Sequence, residues 1–593
     1  MPRNRTTDLR ILAAALLAAA ATQAAGQGVG IDLSAPKKKE EAKPSAEKPK
    51  AAPQPARPSA PMTIEGINVA GRSAGKQRMD AARRLFDEKR YETAALAFHE
   101  ILKERALAEE HDEARYRLAR SLFRLELYHS ALSRYQEILA KGPQGSKYFP
   151  NALAGMFAVG SRLANDQIVF TMAARFASEN LPPFYQDRFH YLLGRYSYER
   201  GRALAEAGQA SEAQKAYEEA RKYVGLVRAV PPPPLPGAEP EDEAEGDLYA
   251  RARFLEGVVL YAQGNQPAAV ESFKDVVRRT NPRKATRPDP KVREAAFLEL
   301  ARIHYENKQN RYAIFYYGKM PWGEALWLEG LWESSYAYYR LGDYEKSLGN
   351  LLTLHSPYFQ DEYFPESYVL KAIIYFENCR YPEARAILEE FNGRYEPVYA
   401  QLKELTARSA APSAFFDLIE RAEKSKDEGV MRKVMKIAFT DKAIKRLNDS
   451  ILEAEQEMDD GIGRRDVSFR TSALAAECLA TLKAERAKLV EEAGARARQK
   501  LEYERDALRE LLEQALRIKI EVARKEREAL EISLAKGIPV DVVRRYKFST
   551  AVSDEHQYWP YEGEFWRDEL GTYSYTLTKG CREAPTVRPV PVR

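Results

Sequence analysis

Cysteine is scarce. The 593 residues hold three, Cys379, Cys478 and Cys581, and no two stand at CxxC spacing. That excludes a disulfide framework and four-thiolate zinc chemistry. In an oxidising compartment three thiols allow one disulfide and leave one thiol over. Cys379 and Cys478 fall on apolar helix faces, the setting of buried thiols; the alternative is a Cys478–Cys581 bond that pins the end of the chain to a helix. Histidine is scarce too. The seven show no HExxH or other metal-ligand spacing. No GxSxG, P-loop or GxGxxG stands at a strand–helix junction. Carboxylates are spread over helix faces, so no acid/base pair stands out. No catalytic, cofactor-binding or metal-binding residue is assigned, no cofactor is expected, and the chain is read as not an enzyme.

Long apolar runs are missing beyond the first 25 residues. There Arg3, Arg5 and Arg10 precede the apolar run Ile11–Ala21, and Thr22-Gln23-Ala24 supplies small residues. This is the pattern of a cleaved secretory signal, and the run is well short of the ~20 residues that span a bilayer. The expected location is the periplasm, with no membrane span after cleavage and with outer-membrane or peptidoglycan association open. Charge of one sign is also missing from the folded part. Residues 1–25, 26–58 and 582–593 carry +2, +3 and +2 of the net +5, which leaves −2 for residues 59–581. A nearly neutral body argues against a nucleic-acid surface.

Helix formers are plentiful, and 30% of residues are charged. Residues 26–61 are Lys/Pro/Ala-rich and without apolar periodicity, which predicts a disordered linker. Over residues 78–400 a pattern recurs: an apolar residue late in one helix, a turn, a small residue early in the next helix, and a large apolar residue four positions on. Its copies include Leu85/Ala94/Phe98, Leu122/Ala131/Tyr135, Leu204/Ala213/Tyr217, Leu260/Ala269/Phe273, His304/Ala313/Tyr317, Tyr338/Ser347/Leu351 and Tyr375/Ala384/Leu388. The small residue recurs after 37 positions from Ala94 to Ala131, then after 44, 34 and 37 from Ala269 through Ala313 and Ser347 to Ala384. A small residue lets two helices approach, and the large one fills the groove to the next hairpin; one hairpin cannot bury its own apolar face, so neighbours must stack. Six fair copies and one or two degenerate ones are counted. The turns carry Lys89, Glu126 and Lys308 where glycine is usual. Residues 231–247, Pro-rich then acidic, read as a loop insertion.

Residues 413–538 lack proline. Apolar residues at helical spacing predict a coiled-coil helical hairpin turning at Asp459–Gly463, with a kink near Gly494 and a seven-residue repeat through Leu501, Leu508, Leu511, Ala515, Ile518 and Val522. Packing within one chain and homodimerisation are both open. Residues 545–581 form an aromatic-rich piece, with Phe565 and Tyr573–Leu577 expected as a hairpin, and residues 582–593 a disordered tail.

The period near 34 and its small/large signature resemble the tetratricopeptide repeat (TPR). The expected fold is all-α: a TPR-like α-solenoid, the long hairpin, and the small aromatic piece. The order of signal, linker, diverged repeats, long coil and YWPYEGEFWRDELG-type end is similar to that of myxobacterial envelope TPR proteins of the adventurous gliding-motility machinery. This resemblance implies a non-catalytic scaffold for protein partners in a cell-envelope complex. The alternative is a periplasmic adaptor that coordinates peptidoglycan synthesis or envelope assembly; lower still ranks a carbohydrate-binding or hydrolytic role. Tyr305, Tyr338, Tyr339, Tyr375, Trp559 and Trp566 are the candidate partner-binding residues, as flat amphipathic side chains on helix faces and in the aromatic piece.

Overall fold

The computed structural model describes residues 72–160, 162–163, 167–177, 183–233, 247–285, 288–360, 362–408, 411–424, 437–438, 441–536, 548–550, 560–561 and 563–577. The expected signal, the linker, the tail, Trp559 and Cys581 lie outside these residues, as do residues 234–246 of the loop insertion. The described chain is almost entirely helical. Helices pair as α1 (Arg72–Asp87) with α2 (Tyr91–Lys103), α3 (His111–Arg124) with α4 (Tyr128–Leu139), and α5 (Phe149–Gly160) with α6 (Gln167–Ala174). Then follow α7 (Pro183–Glu206) with α8 (Ala210–Gly225), α9 (Leu248–Ala262) with α10 (Gln266–Arg279), and α11 (Pro290–Glu306) with α12 (Asn310–Tyr317). The last two pairs are α13 (Trp327–Leu341) with α14 (Tyr344–Leu354), and α15 (Pro365–Glu377) with α16 (Tyr381–Ala407). Each pair packs on the next, so the array is a TPR-like solenoid.

One turn joins seven of these pairs. In each, the first residue after the turn donates its N–H to the carbonyl five positions back: Arg90 to Leu85, Leu127 to Leu122, Gln209 to Leu204, Asn265 to Leu260, Gln309 to His304, Asp343 to Tyr338 and Arg380 to Tyr375, all at 2.8–3.0 Å. These are Schellman closures, which need a left-handed residue just before the donor. That residue is Lys89, Glu126, Gly208, Gly264, Lys308, Gly342 or Cys379, with φ between 56° and 79°. The early small residues of the second helices, Ala94, Ala131, Ala269, Ala313, Ser347 and Ala384, have no exposed surface. The large residues four on are buried as well. Glycines on the first helices take their rings: a Cβ on Gly201 would collide with Tyr217, and one on Gly257 with Phe273.

After α16 come α17 (Pro412–Lys424), α18 (Lys442–Gln456), a π-turn at Glu457–Ile462, the short α19 (Val467–Arg470) and α20 (Ala473–Lys536). At 64 residues α20 is about 96 Å long. It runs on as one helix through Gly494. That glycine makes no helix break; it clears the backbone of α17, where a Cβ would collide with the Pro412 carbonyl. The long hairpin also packs on both ends of the array. Leu474, Cys478 and Leu482 share a core with Phe98, Leu122 and Tyr135 of the first two pairs. Ala497, Leu501, Leu508, Leu511, Ala515, Ile518 and Val522 share another with Leu388, Phe391, Tyr395 and Leu402 of the last pair. α20 and α16 run antiparallel, with Arg385 meeting Glu526 and Arg505 meeting Thr406.

The hairpin tip enters the turn between α3 and α4. Leu127 precedes α4 and offers no side-chain cap. The Glu457 carboxylate supplies one from more than three hundred residues away, accepting from the N–H groups of His129 (2.8 Å) and Ser130 (2.9 Å) and from the Ser130 hydroxyl (2.6 Å). Arg465 donates to the Leu125 carbonyl at the end of α3 (2.6 Å) and pairs with Glu92 (3.1 Å). One segment therefore satisfies free N–H groups on one helix and a free carbonyl on the other.

The last described residues form a three-stranded antiparallel sheet in the order β2 (Pro560–Tyr561), β1 (Phe548–Thr550), β3 (Tyr573–Tyr575). The partner of Tyr573–Tyr575 is Phe548–Thr550, in the register Phe548↔Tyr575, and not the segment around Phe565. β3 lies on α14, where Gly349 has no side chain to keep the Tyr573 backbone off. The expected buried thiol is found at Cys478 and is corrected at Cys379. Cys478 is free and buried, while Cys379 is disulfide-bonded.

Candidate partner-binding surfaces

The tyrosines singled out in the sequence sit on the first helices of successive pairs, and two of them, Tyr305 and Tyr339, bond to the neighbouring pair. The Tyr261 hydroxyl on α9 donates to Glu306 at the end of α11 (2.5 Å). One pair on, the Arg340 guanidinium of α13 stacks 3.9 Å from the Tyr305 ring of α11 and donates to its carbonyl oxygen at 3.2 Å. Further along, the hydroxyls of Tyr339 and Tyr344 donate to the two carboxylate oxygens of Glu377, which ends α15, at 3.0 and 3.1 Å. The result is a ladder of polar contacts along one edge of the stack. Tyr375 is buried, and its hydroxyl donates to that of Tyr575 on β3 (3.2 Å). Burial pushes its pKa up to about 12 and also raises that of Tyr305. Tyr338 is half-buried under the Lys346 ammonium. Tyr305 and Tyr339 thus join one pair to the next, Tyr375 joins α15 to β3, and Tyr338 packs within its own pair.

Trp566 is different: it is 57% exposed. Its segment, residues 563–577, is strapped across the outside of α14. The Trp322 indole N–H donates to the Leu570 carbonyl (3.0 Å), the Gly571 N–H to the Thr353 hydroxyl (2.9 Å), and the Leu577 N–H to Glu345 (3.1 Å). Under the strap Leu570 and Tyr573 pack with Leu352, Trp327, Phe359 and Phe565. At its borders lie Trp322, 48% exposed, and Tyr358, 53% exposed, whose hydroxyl donates to the Phe565 carbonyl at 3.4 Å. Three exposed rings thus frame one hydrogen-bonded support. Glu564, Asp568 and Glu569 lie on the same segment, and burial together with Asp568 and Glu564 raises the pKa of Glu569. Trp322 and Tyr358 were not singled out in the sequence. No local signal marks them, because the strap that joins them to Trp566 meets Tyr358 from 207 residues away and Trp322 from 248.

One polar pair has the look of chemistry. His355 Nε2 lies 2.7 Å from the Ser367 hydroxyl. Ser367, however, donates to the Phe364 carbonyl (2.5 Å), so its proton is committed and the imidazole is the donor. Burial, with Lys371 and Arg394 near, holds the His355 pKa well below its ordinary value. The cavity beside the pair is about 10 Å³, room for about one water. The pair ties the end of α14 to the start of α15. Among the described residues no cluster of His, Cys, Asp and Glu is arranged to hold a metal, and no helix is long and apolar enough to cross a membrane.

The geometry defines the class: a TPR-like array of helical hairpins bridged by a long helix. No family model matches the chain, and no curated protein matches it. Among solved structures it is similar to the C-terminal part of a TPR repeat-containing protein from Cytophaga hutchinsonii, at 15% identity and a TM-score of 0.25, over 58% of this chain and 99% of the other. It is also similar to a circular tandem repeat protein with novel repeat topology, at 14% identity and a TM-score of 0.13, over 78% and 91%. At these scores neither likeness adds to what the chain's own turns and packing establish.

Proposed function

We propose that the chain is a non-catalytic scaffold that gathers protein partners in a bacterial cell-envelope complex, with the periplasm as its location and the gliding-motility machinery as the setting that the sequence resemblance implies. The observation that supports it is the raft of Trp322, Tyr358 and Trp566. Large amphipathic rings held at fixed positions on a rigid support are the anchors of protein interfaces, since little side-chain freedom is lost on binding. A role in coordinating peptidoglycan synthesis would use the same surface, and the partners recovered separate the two.

The test is crosslinking and affinity purification of the full chain from envelope fractions, with Trp566→Ala beside wild type and Tyr312→Ala as an exposed control elsewhere on the array. Wild type and the control should recover the same protein partners, and Trp566→Ala should lose most of them. Recovery of no protein by wild type would end the scaffold reading. Retention of a glycan that Trp566→Ala loses would favour a carbohydrate-binding role.

A further inference from the structure

The far end of α20 carries two apolar faces. One is spent on the array: Leu511, Ala515, Ile518 and Val522 are buried against the last hairpin pair. The other faces solvent. Leu516 is 56% exposed, Ile520 59%, Leu530 41% and Leu534 81%. At 3.6 residues per turn these four fall within about 80° of one another, on a stripe centred about 130° from the buried face. Ala523 and Arg527, both exposed, lie between them on the same stripe. Four large aliphatics in one line over about 27 Å of helix is the pattern of a helix–helix seam.

We propose that this stripe is a homodimer interface in which the α20 helices of two copies pair antiparallel about a two-fold axis near residue 525. The register follows from the side chains. With the axis there, Leu516 faces Leu534 of the second copy, Ile520 faces Leu530, and Ala523 leaves room for the stem of Arg527. Each large residue meets a large one, twice over by symmetry, as a self-complementary two-fold contact requires. Charge agrees. Arg517 and Glu531 lie on the same flank of the stripe, and in this register each stands within a turn of its opposite in the other copy. Shifting by a heptad in either direction leaves one end of the seam unmatched. The seam would bury on the order of 1,000 Å², the low end for a stable interface, so micromolar dimerisation is the expected strength. The proposal stands apart from the partner reading above; a dimer that binds nothing else leaves it intact.

The test is sedimentation of the full chain across about 1–50 μM, with circular dichroism to show that each variant is folded. Wild type should pass from one to two chain masses over this range. Ile520→Glu, which changes only an exposed position, should weaken dimerisation at least 50-fold. Arg517→Glu should weaken it about fivefold, and Arg517→Glu with Glu531→Arg should return it to within about twofold of wild type. A wild type that stays monomeric at the highest concentration overturns the proposal, and slow hydrogen exchange near Leu534 in that monomer would show the chain's own residues beyond Lys536 covering the stripe. An Ile520→Glu chain that dimerises like wild type, or a double variant that is not restored, overturns it as well.

Discussion

Four of the seven hairpin turns hold a side chain in the left-handed region: Lys89, Glu126, Lys308 and Cys379. An L-residue there crowds its Cβ against the following carbonyl at a cost of about 1 kcal/mol, which glycine avoids. Lys89, Glu126 and Lys308 are exposed, so nothing else should be lost on replacement. Lys89→Gly, Glu126→Gly and Lys308→Gly should each stabilise the chain by about 0.5–1 kcal/mol, and Gly342→Ala should destabilise it by a similar amount, read as shifts in urea midpoint. A loss of stability in all three glycine variants would contradict the turn geometry. At this scale much was legible. The turn positions and the small/large pairs stand at fixed offsets, because hairpin geometry is local. The roles of Tyr305, Tyr339 and Tyr375 were not legible, because Arg340, Glu377 and Tyr575 reach them from other elements.

The hairpin tip shows the same limit for elements. Helical periodicity and the Gly-containing turn at Asp459–Gly463 foretell two helices with a reversal, and that is what forms. Nothing local foretells that Glu457 caps α4 or that Arg465 closes α3, since a cap is normally sought within a few residues of the helix it serves. The contact also has a pH signature. Burial lowers the His129 pKa, but Glu485, 3.1 Å from Nδ1, outweighs it together with Glu457 and Glu453, and the net direction is upward. Burial raises the Glu457 pKa, against the pull of His129 and Ser130. Both groups hold protons more tightly folded than unfolded. The His129 contribution is therefore complete below the ordinary histidine value and is lost as pH rises through the raised one; the Glu457 shift acts in the same direction from the carboxylate range upward. His99, lowered by burial despite Glu477, runs the other way and is the control. His129→Gln should cost about 1–2 kcal/mol at pH 6 and much less at pH 9, while the cost of His99→Gln should not fall over that range. A His129→Gln cost that is flat with pH would rule out a charged imidazole in the contact.

Over the whole molecule, contacts run from the first hairpin pair through the stack to the last and return along α20. An open solenoid is held by nearest-neighbour interfaces alone and can unravel from an end. Closure through α20 couples the two ends, since residues 474–485 grip the first pairs and residues 497–526 the last. The tryptophans allow a direct test. All five, Trp322, Trp327, Trp332, Trp559 and Trp566, lie in the second half of the chain, so fluorescence reports on that half while far-ultraviolet circular dichroism reports on every helix. In wild type the two urea transitions should coincide. Leu482 is fully buried between α20 and the first pairs. Leu482→Asp places a charge in that core at a cost of about 3–5 kcal/mol, more than a single hairpin interface can absorb. The dichroism should then begin to fall at lower urea than the fluorescence, as the first pairs melt while the last pair stays folded on its half of α20. Separate transitions in wild type, or coincident ones in Leu482→Asp, would mean that α20 does not couple the ends, and the array would have to be treated as an open stack with a helix laid along it.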